Sequence, residues 1–130
     1  MKKIISAKLA GDILLVAMGL FLVFHVLVLL KIAPANIIWG GQANPANIFN
    51  LEIVALTVTL FFGLIIAAKA GYIKAGNLAG AVNILVWIIF IFLLLNTLGN
   101  LASGVSAENI IFAPITLILA LCALRLAIEK

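Results

Sequence analysis

Four apolar runs divide the sequence, at positions 13–30, 51–68, 78–95 and 110–128. Each holds roughly 18 residues and rises about 27 Å as an α-helix, close to the ~30 Å of a bilayer's hydrocarbon core, so each predicts a membrane-spanning helix with little tilt. A transmembrane strand would alternate apolar and polar residues; LVWIIFIFLLL (85–95) does not. The pattern therefore predicts an all-α membrane protein, one domain over residues 1–130, with four transmembrane helices in an antiparallel bundle.

The segments between the runs are unequal. The stretch 31–50, KIAPANIIWGGQANPANIFN, carries Pro-Ala-Asn-Ile twice and a charge only at Lys31. Pro34 and Pro45 suit the first turn of short helices, Asn44 suits a cap, and Gly40-Gly41 suits a turn. A long outer loop is expected here. It is expected to fold into short interfacial or re-entrant helices over the end of the bundle, with Trp39 at headgroup depth. The competing reading is an interfacial segment facing lipid with no pocket beneath it. KAGYIKAGN (69–77) is short, which makes helices 2 and 3 neighbours. Gly71 and Gly76 suit helix ends, Lys69 and Lys74 are expected to reach headgroups, and Tyr72 to anchor at the interface. LLLNTLGNLASG (93–104) reads as a helix unwinding through Gly99 and Gly104. Pro114 predicts a kink near the start of helix 4.

Composition changes the picture only by excluding water as the solvent. Of the 130 residues, 67% are hydrophobic and 9% charged, with mean hydropathy +1.40; a soluble domain carries about 25% charge. The net charge of +4 is no nucleic-acid signal, because the basic residues flank apolar runs. Lys2, Lys3, Lys8, Lys69, Lys74, Arg125 and Lys130 fall on one side of a four-span chain and only Lys31 on the other. The positive-inside rule then gives a bacterial-type inner membrane protein with both termini cytoplasmic (N-in/C-in). MKK and the following apolar run imitate a secretory signal, with Ala33-Pro34-Ala35 as a cleavage site, but a run of this length exceeds the usual ~7–15 residues; an uncleaved first helix is expected. Cys122, the single cysteine, rules out an internal disulfide and CxxC chemistry.

With that orientation, the polar residues gather in the outer half. His25 lies about 8 Å inside the outer end of helix 1. Glu52 opens helix 2, Asn96, Thr97 and Asn100 end helix 3, and Trp39 and Gln42 lie in the loop above. These seven are the candidate ligand-binding residues of an outward-facing polar pocket. Intramembrane ionisable groups mark function by default, yet each has a plainer reading. His25 can make one interhelical hydrogen bond. Asn50 can cap helix 2, with Glu52 in its first turn beside the helix dipole and Phe49 and Val54 as a staple. Asn96 and Asn100 share a face that can lie in the interface. Glu108 can be a helix-start charge, and Asn83 can bond across to a neighbouring helix.

One histidine gives no multi-histidine metal site, and GxSxG, Walker A and HExxH are absent. No metal, cofactor or catalytic set is expected. Four helices pack around side chains and leave no lumen, so transport would need a homo-oligomer. Three function classes remain: a ligand- or partner-binding accessory protein, a small-solute or ion transporter or channel acting as an oligomer, and a membrane enzyme using His25 with Glu52. The inner half, with Asn83 nearly alone, favours the first. The expected partners are the bilayer and a further copy or another membrane protein.

Overall fold

The computed structural model describes residues 4–32 and 45–129, and all regular structure among them is helical. The helices are α1 (Ala7–Leu29), α2 (Pro45–Lys69), α3 (Ala79–Ala102) and α4 (Ala113–Ala127), with a 3₁₀ turn at Gly76–Leu78 before α3 and a π turn at Glu108–Phe112 before α4. Four helices are long and apolar enough to cross a membrane.

α1, α2 and α3 are longer than their apolar runs, whereas α4 is shorter than its own. α1 begins at Ala7, where the Ser6 hydroxyl accepts the Leu9 N–H at 3.1 Å, a side-chain N-cap. α1 and α2 end alike. Lys31 and Gly71 have φ of 61° and 94°. The next amide reaches back in each, Ile32 N–H to the Leu27 carbonyl and Tyr72 N–H to the Ala67 carbonyl, both at 2.9 Å. This is the left-handed helix stop that glycine adopts without strain and lysine does not.

Three sequence expectations are corrected. α2 starts at Pro45, so the proline that suited a short separate helix opens the second span itself. Asn50 is then helical and not a cap, and Glu52 lies about two turns inside, beyond the first turn in which the helix dipole acts. α3 runs through Gly99 to Ala102; one glycine costs only about 1 kcal/mol, and the surrounding leucines carry the helix on. At α4, Pro114 sits in the first turn, where its missing N–H is tolerated, and the disturbance falls in the π turn just before it. The expected loop residues Trp39, Gln42 and Gly40-Gly41 lie outside the described residues.

α1 packs against α2 and α4, and α3 packs against α4 and more thinly against α2. Half of the most apolar stretch of α4 is buried against 11% of that of α2, so α4 is the packing centre. Leu14, Ile66, Val86, Ile89, Ala120 and Leu126 fill the middle, and Cys122 packs among them. The outward faces are apolar too, with Val16, Leu20, Leu64, Ile84, Leu95 and Leu98 mostly exposed. Such a surface suits lipid, in which helices associate by close van der Waals packing and interhelical hydrogen bonds.

Candidate functional site

Polar side chains gather at both ends of the bundle. At one end α1 and α2 meet through His25 and Glu52. The His25 Nδ1 lies 2.5 Å from Glu52 Oε2. The Glu52 side chain has no exposed surface and that of His25 is 16% exposed. Burial of a carboxylate is costly unless it is paired and hydrogen-bonded, and moving Glu52 into the body of α2 makes that pairing necessary. An acidic oxygen at Nδ1 fixes the imidazole ring; Nε2 has no partner among the described residues. Phe24 extends the contact to the π turn before α4, its ring 6.2 Å from that of Phe112.

At the same end α3 and α4 hold a separate polar network. The Thr97 hydroxyl, buried, lies 2.8 Å from the Leu93 carbonyl and 2.9 Å from Thr116 Oγ1, and its single O–H serves one or the other. The single O–H of Thr116 is shared between the Phe112 and Ala113 carbonyls. Asn100 Nδ2 donates to Asn96 Oδ1 at 3.0 Å, and Asn100 is buried while Asn96 is exposed. The Asn109 amide donates to the carbonyls of Asn100, Leu101 and Ser103, closing the end of α3. Ser103 donates to buried Glu108 at 2.9 Å. The sequence placed His25, Glu52, Asn96, Thr97 and Asn100 at one end, and there they are. They divide into a pair between α1 and α2 and a network between α3 and α4, and no hydrogen bond joins the two groups among the described residues. Trp39 and Gln42 lie outside those residues.

Sequence reasoning missed Thr116 and Ser103, the partners of Thr97 and Glu108. Nothing in a helix that is apolar on nearly all sides marks which threonine will face a neighbour.

The opposite end is less dry than the sequence suggested. Lys69 turns inward instead of reaching for headgroups, donating to Asn83 Oδ1 at 2.7 Å and to the Glu129 carbonyl at 2.5 Å. Asn83 thus bonds across to α2, as expected. Arg125 is 3% exposed; its Nε donates to the Ile5 carbonyl at 3.0 Å and its terminal nitrogen to Glu129 Oε2 at 2.9 Å. Tyr72 accepts from Lys8 at 2.6 Å and donates to Asp12. Thr57 and Thr59 bond only their own helix backbone.

Among the described residues no three metal-ligating side chains come together. No protein-family model matches the chain, and neither a curated protein nor a solved structure is significantly similar to it.

Proposed function

We propose that the chain is a multi-pass inner-membrane protein of the bacterial type. Its helices run antiparallel with both termini cytoplasmic, and its outward half binds a ligand or partner through His25 and Glu52. The distribution of the basic residues supports the orientation: seven of the eight fall on one side of a four-span chain.

The observation that carries the binding reading is the fully buried Glu52 carboxylate 2.5 Å from His25. An ionisable pair inside an apolar body is expensive and faces function more often than lipid. Glu52 orients the ring, and Nε2 is the atom offered. It accepts a hydrogen bond when the imidazole is neutral and donates one when it is charged. The ligand class is therefore one with a polar, hydrogen-bonding group presented to the outer end of α1. Binding is favoured over transport because Leu14, Met18, Ile66, Val86, Ile89 and Leu119 separate the two polar ends, an apolar layer with no polar side chain to relay a solute. An acid–base role for the pair lacks a nucleophile beside it.

Native mass spectrometry of the protein extracted from its own membrane in a mild detergent tests this. The wild type is expected to keep a bound small molecule or second chain that His25→Leu and Glu52→Gln both lose, while Thr57→Val on the exposed face keeps it. Identical masses in all four proteins would mean that the pair only holds helices together.

A further inference from the structure

At the end opposite His25, an open, shallow cavity of about 750 Å³ lies between the end of α2, the first turns of α3 and the residues that follow α4. Its walls are mostly small, with Ala68, Ala79 and Gly80 among them, and its polar groups are Lys69, Asn83, Trp87 and Glu129. An ammonium has three N–H donors. Lys69 uses two, on the neutral oxygens of Asn83 and the Glu129 backbone. Its third N–H, the Asn83 amide N–H groups and the Trp87 indole N–H have no acceptor among the described residues. The Glu129 carboxylate is held by Arg125 and also acts on Lys69, which leaves one net positive charge among the three side chains. The cavity therefore presents a positive charge and several donors, and it asks for an anion.

The surroundings say which kind. The cavity lies where α2 and α3 pack most thinly. From it an apolar surface runs along one face of α3, from Trp87 to Ile91 one turn on, both more than a third exposed. A charged donor site at the end of a span, continuous with apolar surface at acyl-chain depth, matches an amphiphile. The Lys69 charge attracts a headgroup of net negative charge and repels a headgroup ammonium. We propose that this cavity binds the phosphate of an anionic glycerophospholipid, held by Lys69, Asn83 and Trp87, with its acyl chains along Trp87 and Ile91. The site is independent of the His25–Glu52 pair.

The test is a native mass spectrometry titration of the delipidated full chain with phosphatidylglycerol, with phosphatidylcholine of the same acyl chains, and with inorganic phosphate. Phosphatidylglycerol is expected to bind at least about tenfold tighter than phosphatidylcholine, a difference of about 1.4 kcal/mol. Lys69→Gln is expected to lose about tenfold of that affinity, Lys69→Arg to keep most of it, and Lys74→Gln, exposed and outside the cavity, to be unchanged. Lys69 also ties α2 to α3, so a second variant is needed. A Cβ at Gly80 meets nothing within 4 Å, and Gly80→Leu can fill the cavity without displacing Lys69. It is expected to melt like the wild type and to bind phosphatidylglycerol about tenfold more weakly. Equal binding of the two lipids, equal losses in the Lys69 and Lys74 variants, or undiminished binding by Gly80→Leu would each overturn the proposal. Displacement of the lipid by millimolar inorganic phosphate would make this a soluble-phosphate site and overturn the lipid assignment.

Discussion

The Nδ1 of His25 and the Oε2 of Glu52 lie 2.5 Å apart across the α1–α2 contact, with the glutamate side chain wholly buried. Each residue would be out of place alone: a carboxylate about two turns inside an apolar helix and a ring nitrogen turned into the bundle. Together they form the one described side-chain hydrogen bond between these two helices at this end, and the contact sets how α2 is rotated against α1.

That relationship predicts non-additive losses. His25→Leu removes a donor from a buried acceptor and is expected to destabilise by about 1–3 kcal/mol. Glu52→Gln, which keeps a hydrogen-bonding group, should cost less. The double variant His25→Leu/Glu52→Gln is expected to cost less than the sum, because contacting residues couple by about 0.5–3 kcal/mol. Thermal melting of the four proteins in one detergent measures this. Strict additivity would mean that the two side chains do not interact. A capping charge, by contrast, would lose only about 0.3–1 kcal/mol in Glu52→Gln and show no coupling to His25.

The proposed orientation makes a separate prediction. In a Cys122→Ala background, Gln42→Cys and Gly104→Cys are expected to react with an impermeant maleimide in intact cells, and Ile73→Cys, exposed in the α2–α3 turn, only after permeabilisation. Labelling of position 73 in intact cells would reverse the orientation, and with it the assignment of His25 to the outward half.

How much of this was legible in the sequence follows from how local each signal is. The four spans come from hydropathy summed over a window, which needs no partner, and they were recovered. The end of α2 was marked by Gly71, because a left-handed helix stop is written in one residue. The start of α2 was misread. Asn50 is a good cap in isolation, but Pro45 five residues earlier can open the same helix, and hydropathy does not choose between them. The gathering of His25, Glu52, Asn96, Thr97 and Asn100 at one end was legible from depth alone. Their division into two groups was not, because it depends on helix rotation. A helix apolar on nearly all sides carries no stripe from which rotation can be read. The same gap hid the Thr97–Thr116 contact and the inward turn of Lys69.

Arg125 is the most deeply buried cation described, and it holds the start of α1 through the Ile5 carbonyl. A lysine there ends in a single ammonium in place of a planar fork with separated donors, and reaches the Ile5 carbonyl and Glu129 together less well. Arg125→Lys is therefore expected to keep the fold and loosen the first turn of α1. Hydrogen exchange at the Leu9 and Ala10 amides, now held by Ser6, should quicken relative to amides in mid-helix. Unchanged exchange at these two positions would show that the Ser6 cap alone fixes the start of α1.

The last prediction concerns a close approach between α1 and the end of α2. A Cβ on Gly11 of α1 would lie 3.0 Å from the Ala70 Cβ and 3.8 Å from Leu126 Cδ1. Ala70 cannot swing aside, because its side chain is a single methyl and its backbone leads into the left-handed stop at Gly71. Moving it would also shift Tyr72 away from Lys8 and Asp12. Small residues that let helix backbones approach are what membrane helices use in place of a hydrophobic driving force. Gly11→Ala gains up to about 1 kcal/mol of helix propensity and loses part of it to the contact, so it should be close to neutral. Gly11→Leu has no such compensation and is expected to cost about 1–3 kcal/mol, as overpacking does. Gly19, on the same helix, has nothing within 4 Å of an added Cβ, and Gly19→Leu should leave the melting temperature unchanged or raise it. If the two leucine variants shift it alike, the close packing of α1 on the α2–α3 turn is wrong.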